Sequence, residues 1–367
     1  MGDAAGKAAP IVLIGGGHAH VEVVRKLRAA ELGCEVLLVS PSACAPYSGM
    51  LPGYVAGQYG FEDFHIDLAR LCTRSGVSFL MTTATAIDVE QMHVTLADGR
   101  VLSYSRLSID IGSTPILPSG VTGGIAVKPI ASFTERLARL DQMHSRTGGG
   151  RLAVVGQGVA GVEMAFALQK RFGRRVEVML VGRADRPIAD RSVSAQAKVL
   201  AELRQVGIAH HPRFDVQAFE NGELVARDGR TVAVHEVVWT TSSGAPTWLR
   251  SSGLSLDPAG FIRVDAMLRS LSHPEVFAAG DIASLPDPRP KAGVFAVRQG
   301  PILAENLRRS VLKQPLQSYL PQQAWLVLIS LADGRAIADK WGISATGRWV
   351  AAWKHWNDTR FLDRYRG

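Results

Sequence analysis

Two stretches of this chain confine what it can fold into. They are "IVLIGGGHAH", residues 11 to 20, and "RLAVVGQGVAGVEMAFAL", residues 151 to 168. Each is an apolar run of strand length that stops at glycines and opens at once into a helical pattern. A strand that feeds a helix through a glycine turn belongs to a βαβ unit, and such units build parallel sheets with helices on both faces. The turn also gathers backbone N–H groups at a helix N-terminus, where an anion is stabilised. Two such units roughly 140 residues apart, with a β-rich stretch between them, predict an α/β chain. The expected form is two Rossmann-like, three-layer dinucleotide-binding domains, one inserted in the other, plus a small C-terminal α+β region.

The loops are not equal. The second has Gly156, Gly158 and Gly161 at full G-x-G-x-x-G spacing, followed by apolar Val162, Ala165, Phe166 and Leu168. The first has Gly15, Gly16 and Gly17, with His20 where the third spaced glycine is expected. The first two spaced glycines allow the tight turn and the approach of a pyrophosphate; the third allows close helix–strand packing. His20 therefore predicts a helix set slightly off the sheet, with the phosphate site retained. After "EVLLVS" the position for a ribose-binding acid holds Ser40, which cannot accept from both ribose hydroxyls as a carboxylate does. After "RVEVMLVGR" it holds Gly182 and Arg183. An arginine without a carboxylate suits the 2′-phosphate of NADPH, or it simply faces water, so the choice of nicotinamide stays open. A flavin facing a nicotinamide makes chemical sense of two such sites, because hydride passes directly between stacked rings.

Composition narrows the class. With 367 residues, 47% hydrophobic and 20% charged, the chain can bury a large core. The net charge of +8 comes from basic residues spread along the chain, with short clusters such as "RFGRR" and "NLRRS", which reads as a solvated surface and not a nucleic-acid interface. Cys34, Cys44 and Cys72 form neither a C-x-x-C pair nor a zinc pattern, and a reducing cytoplasm is expected. His18 and His20 lie on one turn, and His210 and His211 precede Pro212 in an expected loop, so no metal is assigned. Residues 1–10 lack a signal-peptide core and are expected to be a disordered tail. "AWLVLISLA", residues 324–332, is too short to span a bilayer and is expected to be a buried strand.

Further motifs fit the two-nucleotide scheme. "RLSIDIGSTP" ends a strand near Gly112, and "SHPEVFAAGDIASL" ends one at Gly280 and Asp281, which places a carboxylate where ligands bind parallel sheets. With "GGGHAHVEVV", "PYSGMLPGYVAGQY", "HIDL", "IGSTP", "VKPI", "PRPKAGVFAVRQGP" and the tail "RWVAAWKHW", they resemble the two-dinucleotide flavoproteins of the pyridine nucleotide-disulfide oxidoreductase superfamily. Within it the chain is similar to type II NADH dehydrogenases. It resembles more closely the oxidoreductase module that some organisms carry fused ahead of selenide, water dikinase.

The resemblance implies FAD on Gly15, Gly16 and Gly17, with Asp281 on the ribityl chain and Ser40, Gly112 and Gly280 nearby. It implies NAD(P)H on Gly156, Gly158 and Gly161, with Arg183 at the adenosine end. It maps Glu163 beside nicotinamide and flavin, and Lys128 and Lys291 near the flavin. It also implies a domain division: FAD at 11–115 and 246–315, NAD(P)H at 116–245, and a C-terminal region at 316–367. The departures are as informative. The C-x-x-x-x-C of the disulfide reductases is missing after the first loop. In "GVFAVRQ", Gln299 keeps one glutamine of the quinone motif, but Val294 replaces the other. Cys44 matches the single redox cysteine of the coenzyme A-disulfide reductases, or it is a packed thiol.

At the C-terminus, Trp349, Trp353 and Trp356 recur at helical spacing among basic residues. They fit a membrane-interfacial helix, or a stripe packed on the chain's own core or in a homodimer. The expected activity is FAD-dependent oxidation of NAD(P)H, with Glu163, Lys291 and Gln299 as catalytic candidates and a small electron acceptor, a quinone or a sulfur or selenium species. The alternatives are a low-turnover flavin- or nucleotide-binding partner in selenium metabolism and a Cys44 disulfide or persulfide reductase.

Overall fold

The computed structural model describes residues 9–27, 29–147 and 149–366. Most of the tail expected at residues 1–10 lies outside them. The strands of the two large sheets are, in chain order, Ile11–Ile14 (β1), Val36–Ser40 (β2), Ser78–Met81 (β3), Arg106–Ile109 (β4), Ile125–Ala126 (β5), Gly150–Val155 (β6), Val176–Val181 (β7), Ala209–His211 (β8), Glu236–Trp239 (β9) and Val276–Ala278 (β10). The first sheet runs β10-β4-β1-β2-β3 and the second β5-β9-β6-β7-β8, every pairing parallel. The chain thus leaves the first sheet after β4, builds the second, and returns at β10. His210 and His211 are a correction: they pair with Leu180 and Val181 as edge strand β8 and are not in a loop.

The parallel strands are continuous apolar runs because both faces are covered. Ile11, Val12, Leu13 and Ile14 are all buried, but Ile11 and Leu13 pack on one face while Val12 and Ile14 pack on the other. Helix α1 (His18–Lys26) follows β1, and α2 (Val159–Phe172) follows β6. Helix α3 (Gly293–Val311) crosses α1 at Gly300, where a Cβ would lie 2.6 Å from that of Glu22. That crossing tolerates no side chain.

The C-terminal region bridges the two halves. Val327–Ser330 (β11), Ala336–Lys340 (β12) and Ile343–Gly347 (β13) form an antiparallel sheet, and α4 (Arg348–Arg366) ends the chain. Only β11 of the run expected as a buried strand is regular, and Val327 and Leu328 in it are half-buried. On one side Asp339 accepts from the Ser192 hydroxyl and Ser344 from Lys198. On the other, the Tyr365 hydroxyl donates to Glu22 on α1 at 2.9 Å. The inner stripe of α4 is Val350, Asp358, Phe361, Leu362 and Tyr365. Trp349, Trp353 and Trp356 are 59%, 39% and 51% exposed, so the tryptophan stripe does not pack on the core as one reading expected.

Candidate functional site

At the first loop the chain reverses at Gly15, whose φ of 93° and close approach to the Asp110 carbonyl exclude a side chain. Gly15 N–H donates to the Val39 carbonyl at 2.8 Å and Gly17 N–H to that of Asp110 at 3.1 Å. Asp110, next after β4, turns its carboxylate under the start of α1 and accepts from Ala19 N–H at 2.8 Å and His20 N–H at 3.0 Å. A Cβ on Gly17 or on Gly280 would collide with that carboxylate. Asp110 is 2% exposed, and burial pushes its pKa up to about 7 against the pull of the two N–H groups.

His20 is fully buried and explains its own presence. Its Nδ1 donates to the Gly15 carbonyl at 2.7 Å, and its Nε2 accepts from the Ser108 hydroxyl at 2.8 Å. A carbonyl can only accept, so the proton sits on Nδ1. Burial draws its pKa down to about 4 and keeps it neutral. In the second loop the matching carbonyl, that of Gly156, would collide with a Cβ on Gly161 and is satisfied by the Thr240 hydroxyl at 3.0 Å. An imidazole therefore fills and bonds the space that a third glycine leaves closed. Among the described residues, the N–H groups of Gly16 and His18 have no partner, and they remain available to an anion at the N-terminus of α1.

Around this turn the structure gathers several expected residues. Ser40 ends β2 beside Gly16, with its hydroxyl donating to the Ser42 carbonyl at 3.0 Å. Lys128 forms an ion pair with Asp281 at 2.7 Å and donates to the Ser113 hydroxyl at 2.8 Å. Gln299, 2% exposed on α3, accepts from Gly280 N–H at 2.6 Å and so fixes the turn that presents Asp281. Gly112 and Gly280 both adopt positive φ, 69° and 70°. Lys291 lies near Asp281 but donates to the Ala283 carbonyl at 2.7 Å and covers the Phe261 ring at 4.0 Å; burial lowers its pKa.

At the second loop, Gly156 (φ 112°) abuts the Thr240 carbonyl, and Gly158 caps α2 with open space where a Cβ would be. Arg183, just past β7, is exposed. Glu163 lies one turn into α2, 8% exposed, and accepts from Ser330 N–H at 2.8 Å. Burial raises its pKa to about 7, opposed by the charge of Lys354. Lys354 donates to Asp358 at 2.8 Å and to the Gly49 carbonyl at 2.7 Å, and the Tyr47 hydroxyl donates to Asp358 at 3.1 Å. Tyr47 stacks on Phe361 at 4.6 Å, and the His18 ring lies 5.5 Å from Tyr47 with a sealed, unpartnered Nε2. Helix α4 thereby brings a half-buried lysine and a buried carboxylate to Glu163, beside the start of α1.

Asp110, Tyr47, Lys354 and Asp358 escaped the sequence reading. The signal for two of them was present: Lys354 and Asp358 fall on the Val350, Phe361, Tyr365 face, opposite Trp349, Trp353 and Trp356. Cys44 sits on a short strand that pairs with His65–Asp67, half-buried. Burial and the nearby Asp67 and Glu62 push its thiol pKa up, the reverse of what a reactive thiolate needs. Among the described residues no group of three or more His, Cys, Asp or Glu could hold a metal, and no helix is long and apolar enough to cross a membrane.

Comparison with known proteins agrees with this geometry. Over 237 residues the chain is 28% identical to an NADH dehydrogenase-like protein of Mycobacterium tuberculosis, covering 60% of this chain and only 58% of that relative's length. It is 30% identical over 285 residues to the ferredoxin–NAD(+) reductase component of the p-cumate 2,3-dioxygenase system of Pseudomonas putida, covering 76% of this chain and 68% of that one. Its fold superposes on NDH2 of Plasmodium falciparum with a TM-score of 0.83, at 12% identity and 98% coverage of both chains. Residues 9–300 match the model of the pyridine nucleotide-disulphide oxidoreductases, and the chain belongs to that family.

Proposed function

We propose that this chain is a flavin-dependent NAD(P)H oxidoreductase. The observation that carries the reading is the pair of glycine turns, each at the C-terminal end of its own parallel sheet and each opening a helix N-terminus. Its cofactors are FAD and NAD(P)H, as its family and its reductase relative indicate. FAD is assigned to the first loop and its sheet, residues 11–115 and 246–315, and NAD(P)H to the second, residues 116–245. Bound there, the flavin supplies the redox chemistry, accepting hydride from the nicotinamide and passing electrons to an acceptor.

The protein's own part is binding and charge. Gly16 and His18 N–H groups meet the pyrophosphate, and the Asp281 carboxylate, held by Lys128 and Ser113, meets the ribityl hydroxyls. Glu163, with a pKa about 7, is poised to hold or release a proton near neutral pH, and Lys354 sets the charge beside it. A small acceptor, a quinone or a sulfur or selenium species, takes the electrons. The raised thiol pKa of Cys44 favours flavin-to-acceptor transfer over a cysteine-based route. The exposed tryptophans of α4, with Arg360 over Trp356 at 5.0 Å, support peripheral contact with an anionic membrane surface.

The test is an anaerobic titration of the purified protein with NADH and then NADPH, following the visible flavin band. Stoichiometric bleaching by one nucleotide is expected. A protein that takes up no FAD, or stays yellow with both nucleotides, overturns the reading in favour of a binding protein.

A further inference from the structure

The two loops are built alike except at one position. Asp110 follows β4 and Thr240 follows β9, and the carbonyl of each lies against the first glycine of the adjoining turn, where a Cβ would collide with it. Thr240 adds an uncharged hydroxyl, bonded to the carbonyls of Val155 and Gly156 at 3.0 Å each. Asp110 adds a carboxylate, bonded to the N–H groups of Ala19 and His20. The N-terminus of α1 is the end of a helix that stabilises negative charge, and it already holds a carboxylate of the chain's own. An anionic dinucleotide must share it.

Beyond those two N–H groups, the charged and titratable side chains around Asp110 do not offset its charge. His20 and His18 on α1 are held neutral, their pKa values drawn down to about 4 by burial. Lys128 is paired with Asp281, whose carboxylate adds to the repulsion on Asp110. Gln299 is neutral and engaged with Gly280. We propose that Asp110 is a positioning residue of the first loop that takes up a proton when an anionic dinucleotide occupies that loop, so that occupancy of this loop, and not of the second, is coupled to pH. This rests on reading the first loop as the FAD site.

The direction follows from linkage. Bound pyrophosphate disfavours the ionised carboxylate, so the pKa of Asp110 is higher in the complex than in the free protein, where burial already sets it at about 7. Affinity is then constant while Asp110 is protonated in both states. It falls as pH rises through the free protein's value, by at most about tenfold per pH unit for one proton, and levels off above the value in the complex. The second loop has Thr240 in the equivalent place and provides an internal control.

The experiment measures FAD binding to apoprotein by flavin fluorescence from about pH 6 to about pH 9, a range in which FAD itself keeps its charge. Calorimetry at about pH 8 in two buffers of different ionisation enthalpy counts the protons taken up. The wild type should bind FAD progressively more weakly above about pH 7 and take up about one proton per FAD at about pH 8. Asp110→Asn and Asp110→Thr should flatten the profile and bind more tightly at the alkaline end. A pH-independent dissociation constant with no proton uptake, or a variant that keeps the wild-type slope, overturns the inference. If neither variant folds, the two-buffer measurement on the wild type still decides. Failure of folded protein to bind FAD at any pH instead overturns the flavin reading, and this inference with it.

Discussion

Asp281 shows how much one ion pair carries at the candidate site. Its carboxylate is 14% exposed and held by Lys128 at 2.7 Å and the Ser113 hydroxyl at 2.9 Å. Lys128→Met leaves a partly buried carboxylate with one neutral donor, and hydrogen bonds to charged groups are worth about 1.5–3 kcal/mol. FAD affinity, measured by equilibrium dialysis at fixed pH, should drop by about tenfold or more; an unchanged affinity would remove Lys128 from the site. Glu163 makes a pH prediction. Its pKa is about 7 in the folded protein against 4.5 for a free side chain, so between those values the folded state binds more protons than the unfolded state. The stabilisation it contributes is therefore full below pH 4.5 and is lost as pH rises through about 7. Relative to Glu163→Gln, the wild type should lose up to about 3 kcal/mol across that window, read from denaturation midpoints at several pH values. Equal pH dependence in the two proteins would show that Glu163 is not desolvated. Cys44→Ser should leave acceptor reduction unchanged, since burial and the nearby carboxylates disfavour the thiolate that a cysteine mechanism would use.

Helix α4 has two faces with different consequences. Leu362 is fully buried in the same apolar cluster as α1 and α2, while Trp349 is 59% exposed. Leu362→Ala should cost about 2–5 kcal/mol in chemical denaturation, the usual range for a cavity in a packed core. Trp349→Ala on the opposite face should cost less than about 1 kcal/mol. Similar losses would mean that the helix is docked by its tryptophans in solution. The loop helices obey a different constraint: each must approach its sheet closely enough for N–H groups to reach a ligand. In α2 glycine achieves this, whereas in α1 His20 replaces glycine and returns a hydrogen bond to the carbonyl it would otherwise crowd. The hydrogen bond that makes it stable required knowing that Ser108 lies behind it.

Across the whole molecule, α4 is held to α1 by Tyr365 and the short C-terminal sheet is held to the second half by Asp339 and Ser344, so both loops share one framework. Its outer surface carries Trp341, Ile343, Trp349 and Trp356, each more than half exposed. Exposed apolar side chains of this kind are where a membrane or partner contact would form, and vesicle binding tests it. Sedimentation with anionic vesicles should carry the protein down, and replacing Trp349, Trp353 and Trp356 by Ser should abolish it, with neutral vesicles binding less. If vesicles bind neither protein and the wild type alone is a dimer by light scattering, the patch is a homodimer contact.

Much of this was legible in one dimension because it is local. A strand, a glycine turn and a helix follow one another within some twenty residues, so both loops, the parallel sheets and the strand of "SHPEVFAAGD" that ends at Gly280 and Asp281 could be read from apolar runs and turn residues. The clustering of Asp110, Lys128 and Asp281 could not be read this way, nor could that of Glu163 with Lys354 and Asp358. These groups come from elements far apart in the chain, and their chemistry arises from burial, which depends on what packs above them. Periodicity marked the tryptophan stripe of α4 but not which face would dock, because Val350, Phe361, Leu362 and Tyr365 make an equally regular stripe. Residue order alone specifies two glycine turns on two parallel sheets. Which charges those turns enclose is set by packing, because a carboxylate buried without a cation differs from one in water through its surroundings alone.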